Sequence, residues 1–105
     1  MLRRRSDFDA LFGHGERARF GSMTVIHREA SRRRVGFAIS RRVKGAAKTK
    51  RIKRLLREAY RRNKQIMACD REFVILASGS ALLKSYGEIE RELIGCLRKA
   101  GIVCD

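Results

Sequence analysis

The side chains best equipped for chemistry in this sequence are cations, and they are gathered in one place. Between residues 41 and 64 stand twelve of them: Arg41, Arg42, Lys44, Lys48, Lys50, Arg51, Lys53, Arg54, Arg57, Arg61, Arg62 and Lys64. Glu58 is the one acid among them. Of a formal net charge of +15, this stretch of 24 residues carries +11. Guanidinium groups grip phosphate oxygens two at a time, and ammonium groups act as point charges toward them. Charge kept only for solubility mixes both signs and is spread over the surface. Charge gathered in one segment repels itself and calls for a polyanionic partner.

Other chemistries find little support. His14 and His27 are lone histidines in Arg-rich segments with no carboxylate paired to them, and both read as surface residues. Asp7 and Asp9 sit where a helix begins and read as capping groups. Glu88, Glu90 and Glu92 read as the solvated face of a helix. Cys69, Cys96 and Cys104 form no closely spaced pair, and no histidine stands at metal-ligand spacing beside them, so they are expected to be reduced thiols. No catalytic residue, metal site or small-molecule substrate is expected of the protein itself.

Three helices and three strands would position the cations. Ser6 with Asp9 resembles a capping box, and Phe8, Leu11 and Phe12 follow at helical spacing up to Gly13. Alternation from Phe20 to His27 reads as a strand. A second strand follows, Arg34-Val35-Gly36-Phe37-Ala38-Ile39-Ser40, with Val35, Phe37 and Ile39 on one face and the nearly bare Gly36, Ala38 and Ser40 on the other. A hairpin is the expected pairing of these two. A helix spans about 47 to 67, an apolar strand 72 to 78, and a last helix opens at Ser85 with Glu88 completing a capping box. The order α-β-β-α-β-α in 105 residues predicts one domain, 1–105, an α+β two-layer sandwich with a small sheet.

Angles around the central helix sort its residues. At 100° per residue, Leu55, Leu56, Ala59 and Tyr60 gather within about 80° of Ile52, forming a core stripe. Lys50, Lys53, Arg54, Arg57, Arg61 and Lys64 share one arc roughly 100° wide with no carboxylate in it. A membrane-surface helix needs its apolar face free to enter lipid, but this face is needed to cover the sheet. The N-terminal Leu2-Arg3-Arg4-Arg5 has no apolar stretch after it, and nothing approaches the ~20 apolar residues of a membrane span. The chain is expected in the cytoplasm, bound to nucleic acid, with DNA or RNA left open by composition.

Read as one string, Arg34 to Arg61 goes further. The strand Arg34-Val35-Gly36-Phe37-Ala38-Ile39-Ser40-Arg41-Arg42 runs through a short loop into Thr49-Lys50-Arg51-Ile52-Lys53-Arg54-Leu55-Leu56-Arg57-Glu58-Ala59-Tyr60-Arg61. This resembles the signature of the bacterial ribonuclease P protein family, and Asp7-Phe8, Leu11-Phe12 and Gly15 resemble that family's opening. Three positions depart from it. Thr49-Lys50-Arg51 stands where the family has Arg-Asn-Arg, Gly45 comes one place later than usual, and Ile26 replaces an aromatic on the sheet.

The resemblance implies a ribonucleoprotein endonuclease that removes the 5′ leader of precursor tRNA. Its RNA subunit performs the Mg²⁺-dependent hydrolysis, with Mg²⁺ held by RNA and substrate, and the protein is an accessory subunit. It implies a left-handed βαβ crossover, against the usual hand. Residues expected on the catalytic RNA are Arg41, Arg42, Lys48, Lys50, Arg51, Lys53, Arg54, Arg57 and Arg61. Phe8, Phe12, Phe37, Lys53 and Arg57 are expected in a cleft for the leader, with the bare strand face leaving room for RNA. A general structured-RNA-binding protein is the alternative.

Overall fold

The computed structural model describes residues 13, 15–67 and 70–103. The expected first helix, with Phe8, Leu11 and Phe12, lies outside the described residues, as do His14, Cys69 and Cys104.

Four strands form one sheet: β1 (Glu16–Phe20), β2 (Met23–Glu29), β3 (Arg34–Ile39) and β4 (Arg71–Ala77). Their order is β1-β2-β4-β3. Helix α1 (Ala46–Asn63) ends in a 3₁₀ turn, Lys64–Ile66, and helix α2 (Tyr86–Lys99) follows a second 3₁₀ segment, Gly79–Leu83. The mixed-sheet α+β sandwich is therefore present, with one strand more than the sequence revealed.

The expected hairpin between the strand at 20–27 and the strand at 34–40 does not form. β2 pairs antiparallel with β1 on one side and β4 on the other, and β3 pairs only with β4, in parallel. Two local causes produce the difference. Gly21 has φ 60°, which an L side chain rarely adopts, so the chain turns back at Gly21-Ser22 and Phe20 pairs with Met23. β4, apolar on both faces through Phe73-Val74-Ile75-Leu76, suits the position between β2 and β3, where both of its edges are paired. Joining parallel β3 and β4 then requires a crossover, and α1 supplies it.

The helices cover one face of the sheet. Met23, Val25, Val35, Phe37, Phe73, Ile75 and Ala77 pack there against Ile52, Leu56 and Ala59 of α1 and Ile89, Leu93, Cys96 and Leu97 of α2. Each fully buried Ile or Leu contributes about 1.5–3 kcal/mol. Leu55 and Tyr60 flank the α1 stripe, as the angles predict. On the opposite face Ile26 and Val74, both fully buried, form a small cluster with Ala38.

The α2 start is as read: Ser85 Oγ accepts from Glu88 N at 3.3 Å, and Ser85 N donates to Glu88 Oε1 at 3.2 Å. Two surface assignments are corrected. Glu92 is buried, accepting from Ser22 N at 2.8 Å and from Ser22 Oγ and pairing with Lys84, because the β1–β2 turn folds onto α2. His27 is buried too, because it lies on the helix-facing side of β2.

Candidate nucleic-acid interface

The core stripe of α1 fixes which way its cations point. With Ile52, Leu56 and Ala59 inside, Lys50, Arg51, Arg54 and Arg57 are all exposed and Lys53 is half-buried. Arg41 and Arg42 lie in the turn that ends β3, which is held by Ser40 N donating to Ala77 O at 2.9 Å and Val43 N to Ser40 O at 3.0 Å. Lys48 is exposed in the first turn of the helix. Thus the turn after β3 and helix α1 place these cations at the protein surface. Ala47, Lys50, Arg51 and Arg54 line a shallow cup of about 390 Å³ on it.

The start of α1 is adverse for these charges. Gly45 at φ 98° precedes it with no side-chain cap, its first turn holds no acid, and Thr49 Oγ1 is turned back onto Gly45 O at 3.1 Å. Cations near a helix N-terminus oppose the macrodipole, and an anion placed there relieves both the dipole and the mutual repulsion. At the other end, Arg33 Nη1 donates to Lys64 O at 2.7 Å and Met67 O at 3.3 Å, and the Arg33 Cζ lies 5.8 Å from the Tyr60 ring centroid. That contact fixes the end of the helix to the β2–β3 connection.

The arc is not wholly free of carboxylate. Arg61 donates from Nη2 to Glu58 Oε1 at 2.7 Å and from Nε to Oε2 at 3.2 Å, while Arg62 Nε reaches the same Oε1 at 3.0 Å. The Arg61 hydrogen bond, with help from Arg62, holds the Glu58 carboxyl below its ordinary range. Arg62 also lies 5.4 Å from the Tyr86 ring centroid, and Glu90 accepts from Tyr86 Oη and Asn63 Nδ2 at 3.0 Å each. The positive surface therefore has an acidic border at its C-terminal end. Spacing of three and four residues from Glu58 was the signal for this clamp. By contrast, Lys50, Lys53, Arg54 and Arg57 form no ion pair with a carboxylate among the described residues.

Of the residues expected to line a leader cleft, Phe37, Lys53 and Arg57 lie among the described residues and Phe8 and Phe12 lie outside them. Phe37 lies on the helix-facing side, 6.0 Å centroid to centroid from Tyr60 in an edge-on pair, and the sheet separates it from Gly36, Ala38 and Ser40. Gly36 is buried and Ala38 packs with Ile26 and Val74, so that face is not bare. At its margin Glu72, also buried, binds Arg28 Nε at 2.7 Å and Arg34 Nη1 at 3.0 Å. Lys53 and Arg57 belong to the α1 surface. Among the described residues no three His, Cys, Asp or Glu side chains converge as a metal site.

Comparison with known proteins gives this surface a context. The family model Ribonuclease P matches residues 1–101. A "Ribonuclease P protein component" of Syntrophus aciditrophicus is 30% identical over 94 residues, covering 88% of this chain and 79% of that protein. One of Bacillus cereus is 26% identical, covering 96% and 90%. The fold is that of the RNase P protein of Staphylococcus aureus, at TM-score 0.87 with 19% identity over 96% of this chain and 94% of that one. It is also that of the Thermotoga maritima RNase P protein, at TM-score 0.84 with 23% identity, covering 92% and 94%. With the family model spanning nearly its whole length, the chain belongs to the ribonuclease P protein family.

Proposed function

We propose that this chain is the accessory protein subunit of ribonuclease P, binding the catalytic RNA through the exposed face of α1 and assisting removal of the 5′ leader from precursor tRNA. The observation that carries the reading is the set Lys50, Lys53, Arg54 and Arg57. One helix aims these four cations away from the core, and no carboxylate neutralises them among the described residues. Arg41, Arg42, Lys48 and Arg51, also exposed, are assigned to the same RNA partner. Hydrolysis belongs to the RNA, and the Mg²⁺ it requires is assigned to the RNA and substrate. The protein contributes phosphate contacts, which fix register without reading sequence. Maturation of tRNA places the complex in the cytoplasm. No helix among the described residues is long and apolar enough to cross a membrane.

The test is binding of leader-bearing precursor tRNA and of mature tRNA to the complex of the chain with its catalytic RNA. Tighter binding of the leader-bearing form is expected, and Arg54→Ala should weaken assembly with the catalytic RNA. Equal affinity for both substrates removes the leader role. Equal affinity of the chain for unrelated structured RNAs points instead to a general RNA-binding protein.

A further inference from the structure

At the edge of the sheet away from α1 and β3 lies a surface that the proposed function leaves unused. β1 forms that edge, and α2 packs beside it. Its last residue, Phe20, is 43% exposed, a rare state here for a large apolar side chain. Like its pairing partner Met23, Phe20 faces the helical layer. Its ring rests on α2 at Gly95: a Cβ built there would come within 2.6 Å of Cε1, 2.8 Å of Cδ1 and 2.9 Å of Cζ. Glycine weakens a helix interior, and at this position it admits the ring.

The surroundings of that ring are cationic. Surface neighbours of Gly95 along a helix lie three and four residues away, which places Arg91, Arg98 and Lys99 around the glycine on which the ring rests, all exposed. Lys99 Nζ donates to Arg19 O at 2.9 Å, holding its ammonium beside the end of β1. The nearby acids are engaged elsewhere, Glu88 in the cap of Ser85 and Glu92 with Ser22 and Lys84. Neither Arg91 nor Arg98 is paired with a carboxylate among the described residues.

An exposed ring supported from beneath and bordered by cations suits an unpaired nucleotide, whose base stacks on the ring while flanking phosphates meet the cations. Stacking of this kind tolerates any base, because every base offers a ring face. We propose that the β1–α2 edge, centred on Phe20 with Arg91, Arg98 and Lys99, is a second RNA-contact surface that takes an unpaired nucleotide of the RNA partner. This rests on the RNA-binding reading above and adds a second point of attachment to α1.

The experiment measures affinity of the full chain for its catalytic RNA against salt, with Phe20→Leu, Phe20→Tyr, the double variant Arg91→Ala/Arg98→Ala and, as reference, Arg54→Ala. Phe20→Leu should weaken binding roughly tenfold with the salt slope unchanged, because stacking releases no counterions. Phe20→Tyr keeps a ring and should bind as the unaltered chain does. The double variant, which leaves the Phe20–Gly95 contact alone, should lower the slope by about one to two units. Unchanged affinity and slope in both Phe20→Leu and the double variant, with Arg54→Ala weakened, overturns the second surface and leaves the α1 reading standing. An unaltered chain that fails to bind the catalytic RNA overturns both.

Discussion

Glu58→Gln is the substitution whose outcome depends most directly on how the α1 surface is built. Glu58 holds Arg61 through two hydrogen bonds, at 2.7 and 3.2 Å, and Arg62 through one at 3.0 Å. Its side chain is part-exposed at the border of the cationic arc, so the amide should fold as the carboxylate does. If Lys50, Lys53, Arg54 and Arg57 each meet one phosphate, they set a salt slope of about −3 to −4, at about 0.7–0.9 per contact. Releasing Arg61 adds a fifth contact and steepens the slope by about 0.7–0.9. Between about 50 and 200 mM salt, that extra contact makes the loss of affinity about threefold larger. Binding itself should tighten at the lower salt. The assay is titration of the catalytic RNA with the chain across that range, with Arg61→Ala and the Glu58→Gln/Arg61→Ala double variant completing a cycle. In the double variant the added slope should vanish. A slope that is unchanged or shallower in Glu58→Gln, with weaker binding, would refute the reasoning. It would mean that Glu58 aims Arg61 onto RNA instead of withholding it.

Three further outcomes follow from buried groups. Gly21→Ala places a Cβ at φ 60° and 2.5 Å from the Glu92 carboxyl carbon, so urea unfolding should show a loss of about 2–3 kcal/mol. Burial pushes the Glu92 carboxyl up, but the Lys84 and Ser22 contacts outweigh it and hold it below its ordinary value of 4.5. Its folded form is thus favoured above that value and the stabilisation is lost as pH falls through the lower folded value; Glu92→Gln should flatten this acid limb in pH-dependent melting. His27 shifts down from 6.5, chiefly because burial disfavours its charge, with Glu16 opposing and Arg71 assisting. The unfolded chain takes up that proton first, so stability should fall as pH drops below 6.5 until the folded value is reached, and His27→Leu should remove this slope in the same melts.

What the sequence showed and hid divides along the range of the interactions. The α1 stripe and its cationic face follow from a period within one element, and so were legible at Ile52, Leu56, Ala59, Arg54 and Arg57. The Ser85–Glu88 cap was legible for the same reason. β1 was hidden because Glu-Arg-Ala-Arg-Phe is a charged edge strand with little alternation, and Gly21 sits inside what reads as continuous apolar alternation. Strand pairing was hidden because β3 and β4 meet across the whole of α1. Glu92 and Ser22 are 70 residues apart, so the partner that holds Glu92 was not visible from its own helix. The Glu58 clamp was visible in its spacing from Arg61 and Arg62, and the angular view missed it by sorting residues into faces.

The central claim, that the cations of α1 serve an RNA that performs the cleavage, is tested most directly by precursor-tRNA processing at limiting Mg²⁺. Four reactions suffice: the catalytic RNA alone, the chain alone, both together, and the RNA with Arg54→Ala/Arg57→Ala. The expected result is no cleavage by the chain alone and leader removal by the mixture at Mg²⁺ concentrations where the RNA alone is slow, with most of that gain lost in the double variant. Cleavage by RNA-free protein, or a Mg²⁺ dependence that the chain leaves unchanged, would contradict it.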